Sequence, residues 1–228
     1  MEKFLRKMYA DSEVKKVQHY RVLEFIKLLA FINLLGFYVI YNYHAAQGIL
    51  SSWQATAGFV IWQKLSIWTL ILSCAMTFTQ MSRPLLWGSV LVIAGLFVTL
   101  TSQLLNPANA VYYGAFTFLG AAILVVQPLH WWLKKAPGSC GWLLCAIAYD
   151  LTRHLPAGVI VWQGKVIGHI PEAFYTSWLT WLGFPGAEFN SLEYVPFLPN
   201  IFLFLCGMYL FQFMTEHEKG RYYLEKLR

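Results

Sequence analysis

The chain has 228 residues, of which 58 % are hydrophobic, 18 % aromatic and only 12 % charged, a balance that a water-soluble core of this length has no interior to hide. It reads as an integral membrane protein. Its formal net charge of +6 comes from basic residues that punctuate the hydrophobic runs, which sets topology and argues against nucleic acid as a partner, since that needs a patch.

Residues 1–21 form a basic arm in which Lys3, Arg6, Lys7, Lys15, Lys16 and Arg21 precede any long apolar run. Phe4, Leu5, Met8 and Tyr9 fall opposite the lysines at helical spacing, so the arm either lies along an anionic membrane surface or is a partly ordered tail. No cleavage is expected. Apolar runs follow at Val22–Tyr43, Ala57–Thr79, Leu85–Thr101, Val111–Val126, from Cys140 to Asp150, and at Phe189–Phe213. They predict an all-α, polytopic transmembrane helical bundle of about six spans over residues 22–214, followed by a charged tail, residues 215–228. Positive charge alternates between the loops, with Arg83, then Lys134 and Lys135, on the side of both ends, which places both termini in the cytoplasm.

The connection 156–193 is then extracytoplasmic and structured. VIVWQGKVIG carries two β-rich runs around Gln163-Gly164 and predicts a hairpin. IPEAFYTSWLTWLGF is aromatic and amphipathic, either a lid over the outer mouth or a belt against lipid headgroups. The last run is entered through Glu193, Tyr194, Pro196 and Pro199. Cys74, Cys140, Cys145 and Cys206 have no CxxC spacing and read as buried free thiols, with no metal site.

Several polar residues stand out against this background. Glu24 and Lys27, three apart, either hold a cofactor phosphate or a proton path at the cytoplasmic mouth, or form a snorkelling ion pair. His44, at the outer end of the first span, is a general-base candidate or an interfacial polar residue. Asp150 can meet Arg153 and His154 across a turn; with Glu193 and Tyr194 they either line an outer pocket for a polar head group or sugar, or cap and pin the helix end. Asn33, Gln63, Lys64 and Gln103 are polar at depth and equally suited to tie helices together. Gly114, Gly120 and Gly207 permit close helix contact, and His130, Trp131 and Trp132 read as an interface anchor.

Trp62–Phe78, Arg83, Thr99–Thr101, Tyr112–Leu124, Ile170–Tyr175, Leu182–Pro199 and Gly207 follow one another in an order and spacing that resembles a known family. This is the family of small bacterial multi-pass proteins similar to the catalytic domain of heparan-α-glucosaminide N-acetyltransferase. The resemblance implies transfer of acetyl from acetyl-CoA, used on the cytoplasmic side, to an amino sugar on the far side of a bacterial inner membrane. The family's first-span pattern, approximately Glu-x-Asp-x-x-Arg-Gly and then a histidine, stands here as Glu24, Ile26, Leu29, Ala30 and Ile40, with His44 one turn further on; its Asp-Tyr before the last span stands as Glu193-Tyr194.

Two readings follow. In the first, the chain is an acetyltransferase-like protein acting on an amino sugar or envelope glycan. Its catalytic candidates are Glu193, His44 and Asp150, its substrate-binding candidates Tyr194, Arg153, His154 and Asn33, and its cofactor-binding candidates Glu24 and Lys27. In the second, it is a catalytically inactive relative, a scaffold or accessory subunit that binds lipid, a partner membrane protein or its own copies.

Overall fold

A computed structural model describes residues 20–47, 56–105, 107 and 110–226. The arm expected over residues 1–21 lies almost wholly outside these. Among the described residues the helices are α1 (Arg21–Ala46), α2 (Ala57–Phe78), α3 (Pro84–Leu105), α4 (Ala115–Leu133), α5 (Gly138–Thr152), α6 (Phe197–Glu216) and α7 (Glu218–Lys226). Five of them, α1 to α4 and α6, are long and apolar enough to cross a membrane. The chain is an all-α polytopic bundle. Helix α5, with 15 residues, rises only about 22 Å against a hydrocarbon core of about 30 Å, and it packs lengthwise on α6.

Local chemistry sets the helix ends. The Thr56 hydroxyl accepts from the Phe59 amide at 3.3 Å and caps α2. Pro84 begins α3, and Pro137 and Pro196 immediately precede α5 and α6. Proline is harmless at such places because a first-turn N–H has no partner inside the helix, which also accommodates Pro199. Pro128 does not end α4, which continues to Leu133.

Helix α1 packs along α2, α2 along α6 and α6 along α5, while α3 and α4 form a separate close pair that touches the rest through α4. The core runs through Leu34, Ile71, Phe78, Leu119, Ile123 and Phe204. Small residues bring α3 against α4: a Cβ on Gly120 would lie 2.6 Å from the Gly88 carbonyl oxygen, and one on Gly95 would collide with the backbone of Thr117. This contact fixes register. Gly95 lies about 16 Å of rise into α3, so α4 begins beside the middle of α3 and not level with its end. Residues 110–114 fill the gap in non-helical form: the Ser102 hydroxyl accepts from the Val111 amide at 2.9 Å, Tyr113 has φ 57° and Gly114 is extended. The fourth span, predicted at Val111–Val126, is therefore displaced towards the carboxyl end.

The starts of α1 and α3, the α4–α5 turn and α7 share one face of the bundle, the tail face; the connection between α5 and α6 lies on the opposite, loop face. The predicted hairpin is present there, β1 (Val159–Trp162) against β2 (Lys165–His169), with Gln163 and Gly164 at φ 50° and 77° in the left-handed turn that suits strand twist. The aromatic stretch after it forms two 3-10 turns, Glu172–Phe174 and Thr180–Leu182. Residues 191–195 then run alongside 110–113: the Leu192 amide donates to the Ala110 carbonyl at 3.1 Å and the Val195 amide to the Tyr113 carbonyl at 3.0 Å. On the tail face, α7 folds back to bury Leu224 with Tyr20, Leu23 and Phe211, so the charged tail is a packed helix. All four cysteines are free, as expected, but only Cys74 is buried; Cys140 is exposed and Cys145 and Cys206 are half-buried.

Candidate functional site

The junction between the two non-helical strips holds the most deeply buried carboxylate among the described residues. Glu193 is 1 % exposed. Its Oε1 accepts from the Ala115 amide, the first of α4, while Oε2 is buried with no hydrogen-bond partner. A helix amino-terminus favours a carboxylate, and Gly114 adjoins this one: a Cβ there would be in ordinary contact with the Glu193 carboxyl carbon, at 3.5 Å, but would crowd Val111 at 2.9 Å. Burial nonetheless dominates and pushes the Glu193 carboxyl up to about 7, with the Ala115 hydrogen bond pulling the other way. A carboxyl titrating near neutrality, with one oxygen uncommitted, is equipped to accept a proton.

Ties across the bundle hold this carboxyl in place. Ser191 hydroxyl accepts from the Tyr112 amide at 2.8 Å and donates to the Glu193 carbonyl at 2.7 Å. The Gln63 side-chain amide, from α2, donates to the Leu192 carbonyl at 2.9 Å. Tyr194 donates its hydroxyl to the Thr180 carbonyl, and burial beside Tyr113 and Tyr175 raises its pKa, so it remains a donor.

Two cavities lie on opposite faces of the segment that holds Glu193, though neither is lined by Glu193 itself. From the tail face, a cavity of about 690 Å³ runs between the α1–α2 and α3–α4 pairs. Its mouth carries Glu24, Lys27, Thr77 and Gln80; its inner end is Phe31, Leu70, Phe116 and Leu119. Lys27 Nζ lies 2.8 Å from Glu24 and donates to Thr77 Oγ1 at 3.2 Å. From the loop face, a cleft of about 710 Å³ is bounded by Tyr112, Tyr113, Tyr175, Ser177, Glu188 and Phe189. One short segment joins the three places: Tyr112 and Tyr113 line the loop-face cleft, Gly114 and Ala115 hold Glu193, and Phe116 closes the tail-face cavity. Phe31 meets Phe116 at 5.7 Å in the tail-face cavity, and Phe189 lies against Tyr113 at 6.2 Å in the loop-face cleft.

The remaining predicted residues fall elsewhere. Arg153, His154 and Tyr194 line a third, smaller groove between α2 and α5, together with Lys64; Asp150 pairs with Arg153 at 3.1 Å on its rim. Asn33 belongs to none of the three spaces: its amide donates to Ser66 and accepts from Trp62 at 3.0 Å, a tie between α1 and α2. His44 stands in the last turn of α1, edge-on to Tyr43 at 5.8 Å, and lines none of them either. Sequence reasoning missed Ala115 and Phe116 as site residues. The available signal was Gly114 before an apolar run, an acceptable helix N-cap.

A family model for the catalytic domain of heparan-alpha-glucosaminide N-acetyltransferase matches residues 19–228. No curated protein and no solved structure matches the chain.

Proposed function

Because the chain belongs to the heparan-alpha-glucosaminide N-acetyltransferase catalytic family, we propose that it is a membrane-embedded acetyltransferase that takes acetyl from acetyl-CoA on the tail face and delivers it to an amino sugar on the loop face. The observation that carries this reading is the segment Tyr112–Phe116, on which the loop-face cleft, the Glu193 carboxyl and the inner end of the tail-face cavity meet within five consecutive residues. In this reading the tail face is cytoplasmic, both ends of the chain lie there, and the membrane is the cytoplasmic one.

The tail-face cavity suits the donor's thioester arm. It is narrow and largely apolar inside, and Lys27 and Thr77 at its mouth supply a cation and a hydroxyl for amide or phosphate oxygens. Acetyl-CoA would supply an activated acyl group there. Glu193 takes the proton from the attacking amine as its nitrogen bonds to the acetyl carbon and the thioester C–S bond breaks. The proton passes on to the thiolate, which leaves as coenzyme A, and the place of Glu193 on the amino-terminus of α4 keeps the carboxylate oriented between uses. Tyr112, Tyr113 and Phe189 offer flat faces to a sugar ring, with Glu188 and Ser177 as polar contacts. Phe31 and Phe116 exclude water from the acyl path until donor and acceptor are in place.

The test uses purified protein with radioactive acetyl-CoA and a glucosamine-terminated acceptor. Wild type transfers label, and Glu193→Gln, which keeps the shape and the Ala115 contact, loses at least about a hundredfold of that rate, the usual scale of general-base catalysis. Equal rates would end the assignment of Glu193.

One observation favours the second reading, a non-catalytic scaffold. Leu29, in the first span, is 49 % exposed and Ala30 is packed in the core, so α1 presents no arginine to the cavity at these positions. Failure to bind acetyl-CoA at millimolar concentration, with a partner protein co-purifying at fixed ratio, is what that reading predicts.

A further inference from the structure

The third groove lies on the flank of the bundle, between α2 and α5 over the start of α6, with a volume of about 330 Å³. Lys64, Trp68, Tyr149, Arg153, His154 and Tyr194 line it. Lys64 stands about 10 Å of rise inside α2 from its loop-face end, where an ionised side chain is costly unless something answers it. Among the described residues no carboxylate pairs with Lys64. Asp150, the carboxylate at the rim, meets Arg153 through Nε at 3.1 Å, and Arg153 itself lines the groove. Two formal cations and an imidazole thus share a small space against one carboxylate.

The surroundings indicate what answers the charge. Ile61 and Leu65 on α2 and Leu144 and Ile147 on α5, beside the groove in sequence, are exposed apolar side chains on helices of a membrane bundle, so the groove opens towards acyl chains. Trp68 and Tyr149 meet edge to face at 6.0 Å and bridge the two helices within it. We propose that this groove is a binding site for the phosphate of an anionic lipid head group, held by Lys64, Arg153 and His154, with its acyl chains along α2 and α5. Arginine grips phosphate through its planar fork, and lysine reaches it from depth by snorkelling. The groove is lined by Tyr194, next to Glu193 in sequence, but not by Glu193 itself, and the proposal does not depend on acetyl transfer.

Native mass spectrometry of the full chain, in detergent doped with phosphatidylglycerol or with phosphatidylcholine of matched acyl chains, tests it. One phosphatidylglycerol is retained in preference to phosphatidylcholine, and Lys64→Gln and Arg153→Gln each weaken that retention about tenfold, the scale of one charge-assisted contact. Lys64→Arg, which keeps the charge, retains it, and Lys134→Gln on the tail face leaves it unchanged. Should Lys64→Gln fail to fold, Arg153→Gln and Lys64→Arg decide. Equal retention of the two lipids, retention unaffected by either neutral variant, or complete displacement by inorganic phosphate at millimolar concentration, which would mark a site for free phosphate, each overturns the proposal.

Discussion

At the scale of single residues, the proposed chemistry rests on Glu193. Its carboxyl is raised by burial from an ordinary 4.5 to about 7, so between these values the folded protein holds a proton that the unfolded chain has released. Stability therefore falls as pH rises from about 4.5 to 7, and above 7 the loss is complete, on the order of 3 kcal/mol. Glu193→Gln carries no such titration: its melting temperature should change less over pH 5 to 8 and exceed that of wild type at pH 8. A general base must be unprotonated, so transfer by wild type should climb through an acid limb near pH 7. A melting series showing the same pH dependence for both proteins would remove burial as the cause. Glu193 was legible in the sequence as a carboxylate before the last span. Its partner was not, because Ala115 reaches it through a backbone amide, which every residue has, and from 78 positions away.

Among the elements, the close α3–α4 pair decides where the site sits. The Gly120–Gly88 approach leaves no space for a methyl group, which would meet the Gly88 carbonyl oxygen and the Val92 backbone nitrogen each at 2.6 Å, so Gly120→Ala must separate the helices. We expect a loss of about 1–3 kcal/mol, the usual cost of overpacking a tight interface, read as a lower midpoint in denaturing-detergent titration. Glu193 should lose its grip on α4 in the same variant. The sequence announced such elements unevenly. Gln163-Gly164 marked the hairpin because that turn needs two left-handed residues, and the helical runs announced themselves by apolar length. The start of α4 was concealed: Val111, Tyr112 and Tyr113 are as apolar as the helix that follows, and only the backbone turn at Tyr113 separates them. Asn33 illustrates the converse, a polar residue at depth whose helix-tying partners, Trp62 and Ser66, only the structure names.

For the whole molecule, orientation governs everything proposed. Lys134, Lys135 and the helix α7 share the tail face, where Lys135 lies over the ring of Trp131 at 3.6 Å, while the hairpin and the cleft share the other. In a background with Cys140 replaced by serine, Gln163→Cys should react with a membrane-impermeant maleimide in intact cells, and Ser82→Cys only after permeabilisation; the reverse pattern would invert the proposed direction of transfer. Phe31 and Phe116 meet in the tail-face cavity, and Tyr113 and Phe189 in the loop-face cleft, on either side of the segment that holds Glu193. A titratable group so placed is also a stepping stone for protons. Were it open to both faces at once in a membrane that holds a proton gradient, Glu193 would load from one side and discharge to the other, and the gradient would be short-circuited. In the proposed transfer, access to Glu193 from the two faces must therefore open in turn, as the gates of a lock do.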